Sequence, residues 1–300
     1  MTVRTFCHIV ELRTKVVSVS TFLTASLFAY VTTGLFSLPR FAVMAVAVLC
    51  VDMGTTAFNS YFDYVNGTDR AQDNWEADKV LVHRGIAPSS ALLIALSLFA
   101  LAAIFGICLA WETSWLLIIA GGVSMIVGFC YTGGPYPISR TPFGELFAGG
   151  FLGSVLFVIS FYVQTLYFDG ATMVASLPFF LLVGMILTVN NSCDRVSDAR
   201  AGRRTLSVVL GERWAARLPA VELFLAYTAS LCLWAFGIYP GWALIGIAAS
   251  LPLCLWVFRS MAKAGFSART KSSSMRRVSL LYGLFCLCFI AGLVVILLVR

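Results

Sequence analysis

Charged residues are scarce in this sequence. Of its 300 residues only 12% are Asp, Glu, Lys or Arg, whereas 60% are hydrophobic, and the mean hydropathy is +0.90. An ordinary soluble domain carries about 25% charged residues, so the composition excludes that class of protein. It is typical of a chain that spends most of its length in a lipid bilayer.

Residues that bind zinc are also few. The two histidines, His8 and His83, lie far apart, and the nine cysteines form no CxxC pair. Zinc sites need several closely spaced Cys or His ligands, so we interpret the cysteines as small apolar packing residues. The net charge of +7 does not indicate nucleic-acid binding, because the basic residues are dispersed over many loops.

Long apolar runs, by contrast, fill the chain. A membrane-spanning helix needs about 20 mostly apolar residues. The sequence therefore predicts an all-α membrane protein with nine transmembrane helices in a single domain over residues 1–300, the first span being retained rather than cleaved as a leader. The nine runs are roughly 17–36, 41–64, 89–110, 114–131, 144–166, 174–191, 215–236, 241–258 and 278–299.

The basic residues indicate how these spans are oriented. Lys and Arg accumulate in cytoplasmic loops, and nine spans with the N-terminus inside place every Lys and Arg except Arg40 and Arg300 in inward segments. This asymmetry predicts a cytoplasmic N-terminus and supports the number of spans. The basic run 259–277 is interpreted as an anchor near anionic lipid.

Two polar motifs occupy the inward ends of spans two and six. The stretch NSYFDYVNGTD (59–69) contains Asn59 and Asp63, and NNSCDRVSDARAGRRTL (190–206) repeats that spacing with Asn190 and Asp194, both at an offset of 131 positions. Residues four apart lie on nearly one face of a helix, and Asp198 continues the second face. The motifs are typical of parallel structural repeats around a shared site.

Carboxylates that face each other in a low-dielectric setting need compensating cations. Asp and Asn oxygens suit Mg²⁺, which takes one or two carboxylates and completes its shell with waters and phosphate oxygens. Basic residues follow each motif, Lys79 and Arg84 after the first and Arg203 and Arg204 after the second. The sequence therefore predicts a magnesium and diphosphate site at the cytoplasmic edge of the membrane, with room for an apolar tail among the helices.

Asp52 lies within span two and shares the motif face, because positions 52, 56, 59 and 63 follow helical steps. An ionisable group at this depth is costly and usually faces the protein interior. Two interpretations stay open: Asp52 lines the substrate cavity, or it is a hydrogen-bonded interior group. Glu222 has the same two interpretations with less support.

These motifs, with YTGGPYPISRTPFGEL (131–146) between them, resemble the UbiA superfamily of intramembrane prenyltransferases. The resemblance is greatest to the branch that prenylates 1,4-dihydroxy-2-naphthoate in menaquinone synthesis. It implies nine helices around a central cavity and cytoplasmic cap loops near 65–88, 132–142 and 192–213. The sequence departs from the family at Ser60, where many relatives have a second Asp, and at Cys193, where an Arg is common.

The resemblance also implies a reaction in the cell membrane, at a site open to the cytoplasm. A polyprenyl group would pass from polyprenyl diphosphate to dihydroxynaphthoate with loss of CO₂, giving demethylmenaquinone and diphosphate. Mg²⁺ would be held by Asn59, Asp63 and Asp69 and by Asp194 and Asp198 with Asn190 or Asn191; the diphosphate by Lys79, Arg84 and Arg203; and Tyr131 and Tyr136 would lie near the acceptor.

Two alternatives stay open. The first is a UbiA-type prenyltransferase or cyclase that acts on another substrate, because departure of diphosphate is common to all of them. The second is a secondary transporter, since parallel repeats and intramembrane acids also occur in that class. Transport sites generally lie near the bilayer midplane, whereas most acids here are at one side.

Overall fold

The computed structural model describes residues 2–67, 80–83 and 85–299. In these residues all regular secondary structure is helical, as predicted. The helices are α1 (Val3–Ile9), α2 (Val16–Thr33), α3 (Leu38–Val65), α4 (Val80–His83), α5 (Pro88–Glu112), α6 (Leu116–Cys130), α7 (Gly144–Ala148), α8 (Leu156–Thr165), α9 (Gly170–Ala175), α10 (Leu177–Arg200), α11 (Leu206–Ala215), α12 (Leu218–Ala235), α13 (Gly241–Ala264) and α14 (Lys271–Val299). A π-helical stretch, Gly149–Val155, joins α7 to α8.

Eight helical segments of the described chain are long and apolar enough to cross a membrane, and each coincides with one of the predicted runs. The remaining predicted run, 114–131, corresponds to α6, which is apolar but only 15 residues long. A helix of that length rises about 22 Å, less than the roughly 30 Å of a hydrocarbon core. The nine-span count and the inward N-terminus stay predictions.

Proline opens four of the long helices. Pro39, Pro88, Pro178 and Pro219 lie in the first turn of α3, α5, α10 and α12. A proline is tolerated there because its missing N–H has no intrahelical partner in any case and its fixed φ is already helical. Pro88 begins α5, which contains the third predicted run, 89–110.

The two motif-bearing helices pack in equivalent pairs. α3 lies along α5, and α10 lies along α12. The largest core cluster surrounds α10, and in it the rings of Phe28, Phe157, Phe179 and Phe289 pack with centroids 4.8 to 6.3 Å apart. Such ring pairs contribute about 0.5–1.5 kcal/mol each beyond their burial. This core fixes the helix that carries the second motif.

Helices α13 and α14 approach each other backbone to backbone at two glycines. A Cβ on Gly246 would overlap the carbonyl oxygen of Cys288, and one on Gly292 would overlap the carbonyl oxygen of Trp242. The crossing therefore requires residues without side chains.

Replacing Gly292 by Ala should destabilise the protein by roughly 1–3 kcal/mol, because the backbone atoms that a methyl group would meet cannot rotate away as a side chain can. The measurement is the thermal unfolding midpoint in detergent. Gly106→Ala in α5 is the matched control: its Cβ would meet no atom within 4 Å, so stability should stay equal or rise. An unchanged midpoint for Gly292→Ala would contradict the close crossing.

Candidate functional site

A cavity of about 1570 Å³ lies between the helices that carry the two motifs. Along α3 its lining extends from Met44 to Asp63, a rise of about 28 Å in an α-helix. Apolar side chains such as Met44, Val48 and Val51 line one end, and the motif residues line the other. We call these the apolar body and the polar end of the cavity; together they suit a long amphiphilic ligand.

Most of the predicted site residues that the structure describes lie in the polar end. Tyr136 does not, since it is 88% exposed in the loop after Gly134, whose φ of +81° turns the chain. The predicted role of Tyr136 near the acceptor is therefore not supported by its position. Asp69, Lys79 and Arg84 lie outside the described residues. The polar end contains Asn59, Asp63, Tyr131, Asn190, Asn191, Asp194, Asp198 and Arg203.

Tyr131 lies where the two motifs meet. It lines the polar end together with Asp63 of the first motif and Asp198 of the second. Its backbone carbonyl oxygen accepts from the Ser139 N–H over 2.8 Å. The Ser139 carbonyl oxygen in turn accepts from Arg203, the residue that pairs with Asp198.

Contacts on two faces of α3 hold the first motif. On the cavity side, the Thr132 hydroxyl donates to Oδ1 of Asn59 over 2.8 Å. On another face, the buried hydroxyl of Ser60 donates to the carbonyl oxygen of Ile9 over 3.0 Å. The departure from the family at Ser60 therefore has a structural explanation: the serine ties the N-terminal helix α1 to α3, where a carboxylate would meet a carbonyl oxygen.

A glycine turn ends α10 and positions Arg203. Gly202 has φ +71°, its N–H donates to Ala199 O over 3.2 Å, and the Arg203 N–H donates to Asp198 O over 2.9 Å, which is the Schellman pattern. The reversed chain brings Nη1 of Arg203 to 3.0 Å from Oδ1 of Asp198. Nη2 donates to Ser139 O over 2.9 Å. Arg203 thereby links the second motif to the 132–142 loop.

Glu145 and Lys271 contact the second motif, and our sequence analysis singled out neither. Oε1 of Glu145, a residue only 5% exposed, accepts from Nδ2 of Asn191 over 2.9 Å and so orients that amide in the cavity wall. Nζ of Lys271 lies 2.9 Å from Oδ2 of Asp194, so interpreting its basic run purely as a lipid anchor was wrong. In the sequence, Glu145 could have been recognised as an acidic residue at the start of the apolar run 144–166.

Both interpretations of Asp52 hold, since it lines the cavity and is fully hydrogen-bonded. Nζ of Lys15, a residue 4% exposed, lies 2.6 Å from Oδ1 of Asp52 and also donates to Thr56 Oγ1 over 2.6 Å. The Ser18 hydroxyl donates to the other Asp52 oxygen. Glu222 is an interior group whose Oε1 accepts from Thr188 over 2.8 Å.

The side chains of the polar end fit Mg²⁺. They offer carboxylate and amide oxygens, the ligands that hard divalent cations prefer. In the described part of the chain no group of three or more His, Cys, Asp or Glu is placed to hold an ion by itself. Mg²⁺ takes one or two carboxylates and fills its shell with water and substrate phosphate. Asp194 and Asp198 each lie beside a cationic side chain, that of Lys271 and that of Arg203 respectively. Their carboxylates therefore attract positive charge.

Comparison with known proteins identifies the family. Residues 18–285 match the model of the UbiA prenyltransferase family. The chain belongs to the UbiA prenyltransferase family. This UbiA chain is 35% identical over 223 residues to the 1,4-dihydroxy-2-naphthoate octaprenyltransferase of Bacillus subtilis (strain 168), covering 74% of this chain and 68% of that protein. The protein of that name from Mycobacterium tuberculosis is 32% identical over 212 residues, covering 71% and 70%.

The fold is that of solved UbiA structures. A UbiA homolog from Archaeoglobus fulgidus, bound to DMAPP and Mg²⁺, superimposes with a TM-score of 0.61 over 95% of this chain and 99% of that one, at 14% identity. The resemblance noted from the motifs is confirmed at the level of family and fold. The chain is therefore an enzyme, a prenyltransferase, as the sequence predicted. The secondary-transporter alternative gains no support.

Breaking the buried ion pair between Lys15 and Asp52 of this UbiA protein should lower its free energy of unfolding. Lys15→Met leaves a buried carboxylate without its cation, and we expect a loss of about 3–5 kcal/mol of stability. The double variant Lys15→Met with Asp52→Asn removes both charges and should recover most of that loss. Thermal unfolding of the native protein, the two single variants and the double variant measures the coupling. Additive effects would contradict a direct pair.

Proposed function

We propose that this protein is a Mg²⁺-dependent 1,4-dihydroxy-2-naphthoate polyprenyltransferase of the cell membrane. It would transfer a polyprenyl group from polyprenyl diphosphate to the naphthoate with loss of CO₂, giving the quinol form of demethylmenaquinone and diphosphate. The observation that carries this proposal is that both acidic motifs line the polar end of one cavity whose body is long and apolar. The two bacterial relatives named for this acceptor support the choice of naphthoate.

The polar end is proposed to bind the diphosphate of the donor. Bound Mg²⁺ supplies Lewis-acid stabilisation of the departing diphosphate. The A. fulgidus homolog, solved with DMAPP and Mg²⁺, supports this pairing of ligand and ion. We assign Asn59, Asp63 and Asp69 to one metal position and Asn190, Asp194 and Asp198 to the other.

Basic side chains are proposed to take the remaining phosphate charge. Arg203 is held beside the second motif by its contacts with Asp198 and Ser139, and its planar fork suits phosphate oxygens. Lys79 and Arg84 are also proposed to bind phosphate oxygens, on the basis of their positions in the sequence alone. They belong to the proposed cytoplasmic cap loop near 65–88, which with the loops near 132–142 and 192–213 would cover a site that opens to the cytoplasm.

The chemistry that follows is a substitution on the aromatic ring. The bond between C1 of the prenyl group and the diphosphate oxygen breaks, and the oxygen keeps the electron pair. The ring carbon that bears the carboxylate attacks C1, and the bond to CO₂ then breaks so that its electrons restore the aromatic ring. Tyr131 presents an aromatic ring that can stabilise the developing cation. The apolar body excludes water, which would otherwise capture that cation.

Asp63→Asn and Asp194→Asn each remove one carboxylate charge while keeping the size of the side chain. We expect each to lower the rate of diphosphate release by on the order of 100-fold or more, since transition-state charge stabilisation of this kind is worth several kcal/mol. Asp169→Asn is the matched control, because Asp169 caps α9 and does not line the cavity. Full turnover by either motif variant would defeat the assigned roles.

A panel of aromatic acceptors tests the substrate. Purified protein with Mg²⁺ and a polyprenyl diphosphate should prenylate 1,4-dihydroxy-2-naphthoate with release of CO₂. Mass spectrometry should detect the quinol form of demethylmenaquinone or, after oxidation by air, the quinone. 4-Hydroxybenzoate and homogentisate are the comparison acceptors. A product from either of these but none from the naphthoate would favour a UbiA enzyme of different specificity, and a cyclised prenyl product without acceptor would favour a cyclase.

A further inference from the structure

Lys271 lies in the wall of the polar end although its basic run looks like a lipid anchor. Its Nζ is 2.9 Å from Oδ2 of Asp194, and the two side chains are 18% and 20% exposed. Lys271 also lines the cavity. An ammonium group that served lipid headgroups would extend toward the membrane surface. This one is instead directed at a carboxylate of the second motif.

The chain before α14 is built to present Lys271 to the cavity. Gly265 ends α13 with φ +73°, and the Thr270 hydroxyl bridges the turn, donating to Gly265 O over 2.8 Å and accepting from Ser267 N over 3.0 Å. α14 begins at Lys271 with no acidic residue in its first turn. The partial positive charge of a helix N-terminus therefore adds to that of the ammonium.

Lys271 and Arg203 are both paired with motif carboxylates, but their side chains differ in chemistry. The guanidinium of Arg203 is held at two points, by Asp198 and by the Ser139 carbonyl. Lys271 has a compact charge on a flexible four-carbon stem with three rotatable donors. A Mg²⁺ ion needs its carboxylate oxygen at about 2.0–2.1 Å. An ammonium group on the same carboxylate competes for that oxygen and repels the ion.

We propose that Lys271 is an exchangeable counter-cation that leaves Asp194 when Mg²⁺ binds there and then binds an oxygen of the diphosphate. This inference rests on the proposed function. It predicts coupling: Mg²⁺ alone must displace the ammonium from Asp194, whereas Mg²⁺ together with diphosphate gives the ammonium a new partner. Metal and diphosphate would therefore bind cooperatively, and the cooperativity would depend on the charge of Lys271.

The test uses the full chain in detergent with two ligands, Mg²⁺ alone and inorganic diphosphate at saturating Mg²⁺, each titrated against the thermal unfolding midpoint. Lys271→Met keeps the length of the side chain and removes its charge. We expect it to bind Mg²⁺ alone about 5- to 10-fold more tightly, because a competing partly buried charge is gone. We expect it to bind diphosphate about 10-fold more weakly, because a charge-assisted contact is lost.

Two further variants complete the design. Arg269→Gln removes the same charge two residues earlier from an exposed position outside the cavity, and both affinities should stay at the native values. Lys271→Arg keeps the positive charge, so Mg²⁺ alone should bind no more tightly than to the native protein and diphosphate binding should be retained. It also provides a test that does not need the uncharged variant to fold.

The proposal is overturned if Lys271→Met binds Mg²⁺ alone no better than the native protein, or if its diphosphate affinity is unchanged. A gain in Mg²⁺ affinity for Lys271→Arg would overturn it as well. Neither titration contains a prenyl donor or an aromatic acceptor. A failed acceptor panel would therefore refute the proposed substrate without changing these results, and a failed titration would leave the prenyl transfer assignment in place.

Discussion

A carboxylate inside an apolar helix bundle needs a hydrogen-bond donor or a positive charge beside it, and this requirement organises the structure. An unpaired buried carboxylate costs several kcal/mol. Three of these acids meet the requirement with basic residues from other parts of the chain: Asp52 with Lys15, Asp194 with Lys271, and Asp198 with Arg203. The pairs tie the N-terminal segment, the start of α14 and the turn after α10 to the two motif-bearing helices.

The same charge balance prepares the cavity for its proposed ligands. The polar end contains acids that are already partly neutralised, and in the proposed exchange a divalent ion would take the carboxylate oxygen that the ammonium group releases. The glycine turn at Gly202 and the hydrogen bonds to Asn59 and Asn191 hold the side chains in place before any ligand arrives. The apolar body would provide room for the chain of the proposed donor and would keep water away from its reacting carbon.

Much of this architecture was predictable because membrane helices obey a local rule. In lipid every backbone polar group must be satisfied within the segment, so apolar runs become helices whatever their neighbours are. The matching spacing of Asn59 with Asp63 and of Asn190 with Asp194 then placed each pair on one helix face. Composition and spacing led to the all-α fold, the two motifs and the resemblance to UbiA enzymes, and the family match bears that resemblance out.

What the sequence by itself determined is the set of helices and which faces of α3 and α10 carry oxygen ligands, because helix geometry depends on residues close in the chain. Only the tertiary structure decided which distant residues reach those faces. Lys271 comes to the second motif through the turn at Gly265 and the packing of α14 against α10, and Glu145 comes to it through the packing of α7 against α10. Tyr136 is carried out to the surface by the turn at Gly134, although it lies only five positions from Tyr131. Such placements depend on packing between segments far apart in the chain, which no local pattern encodes.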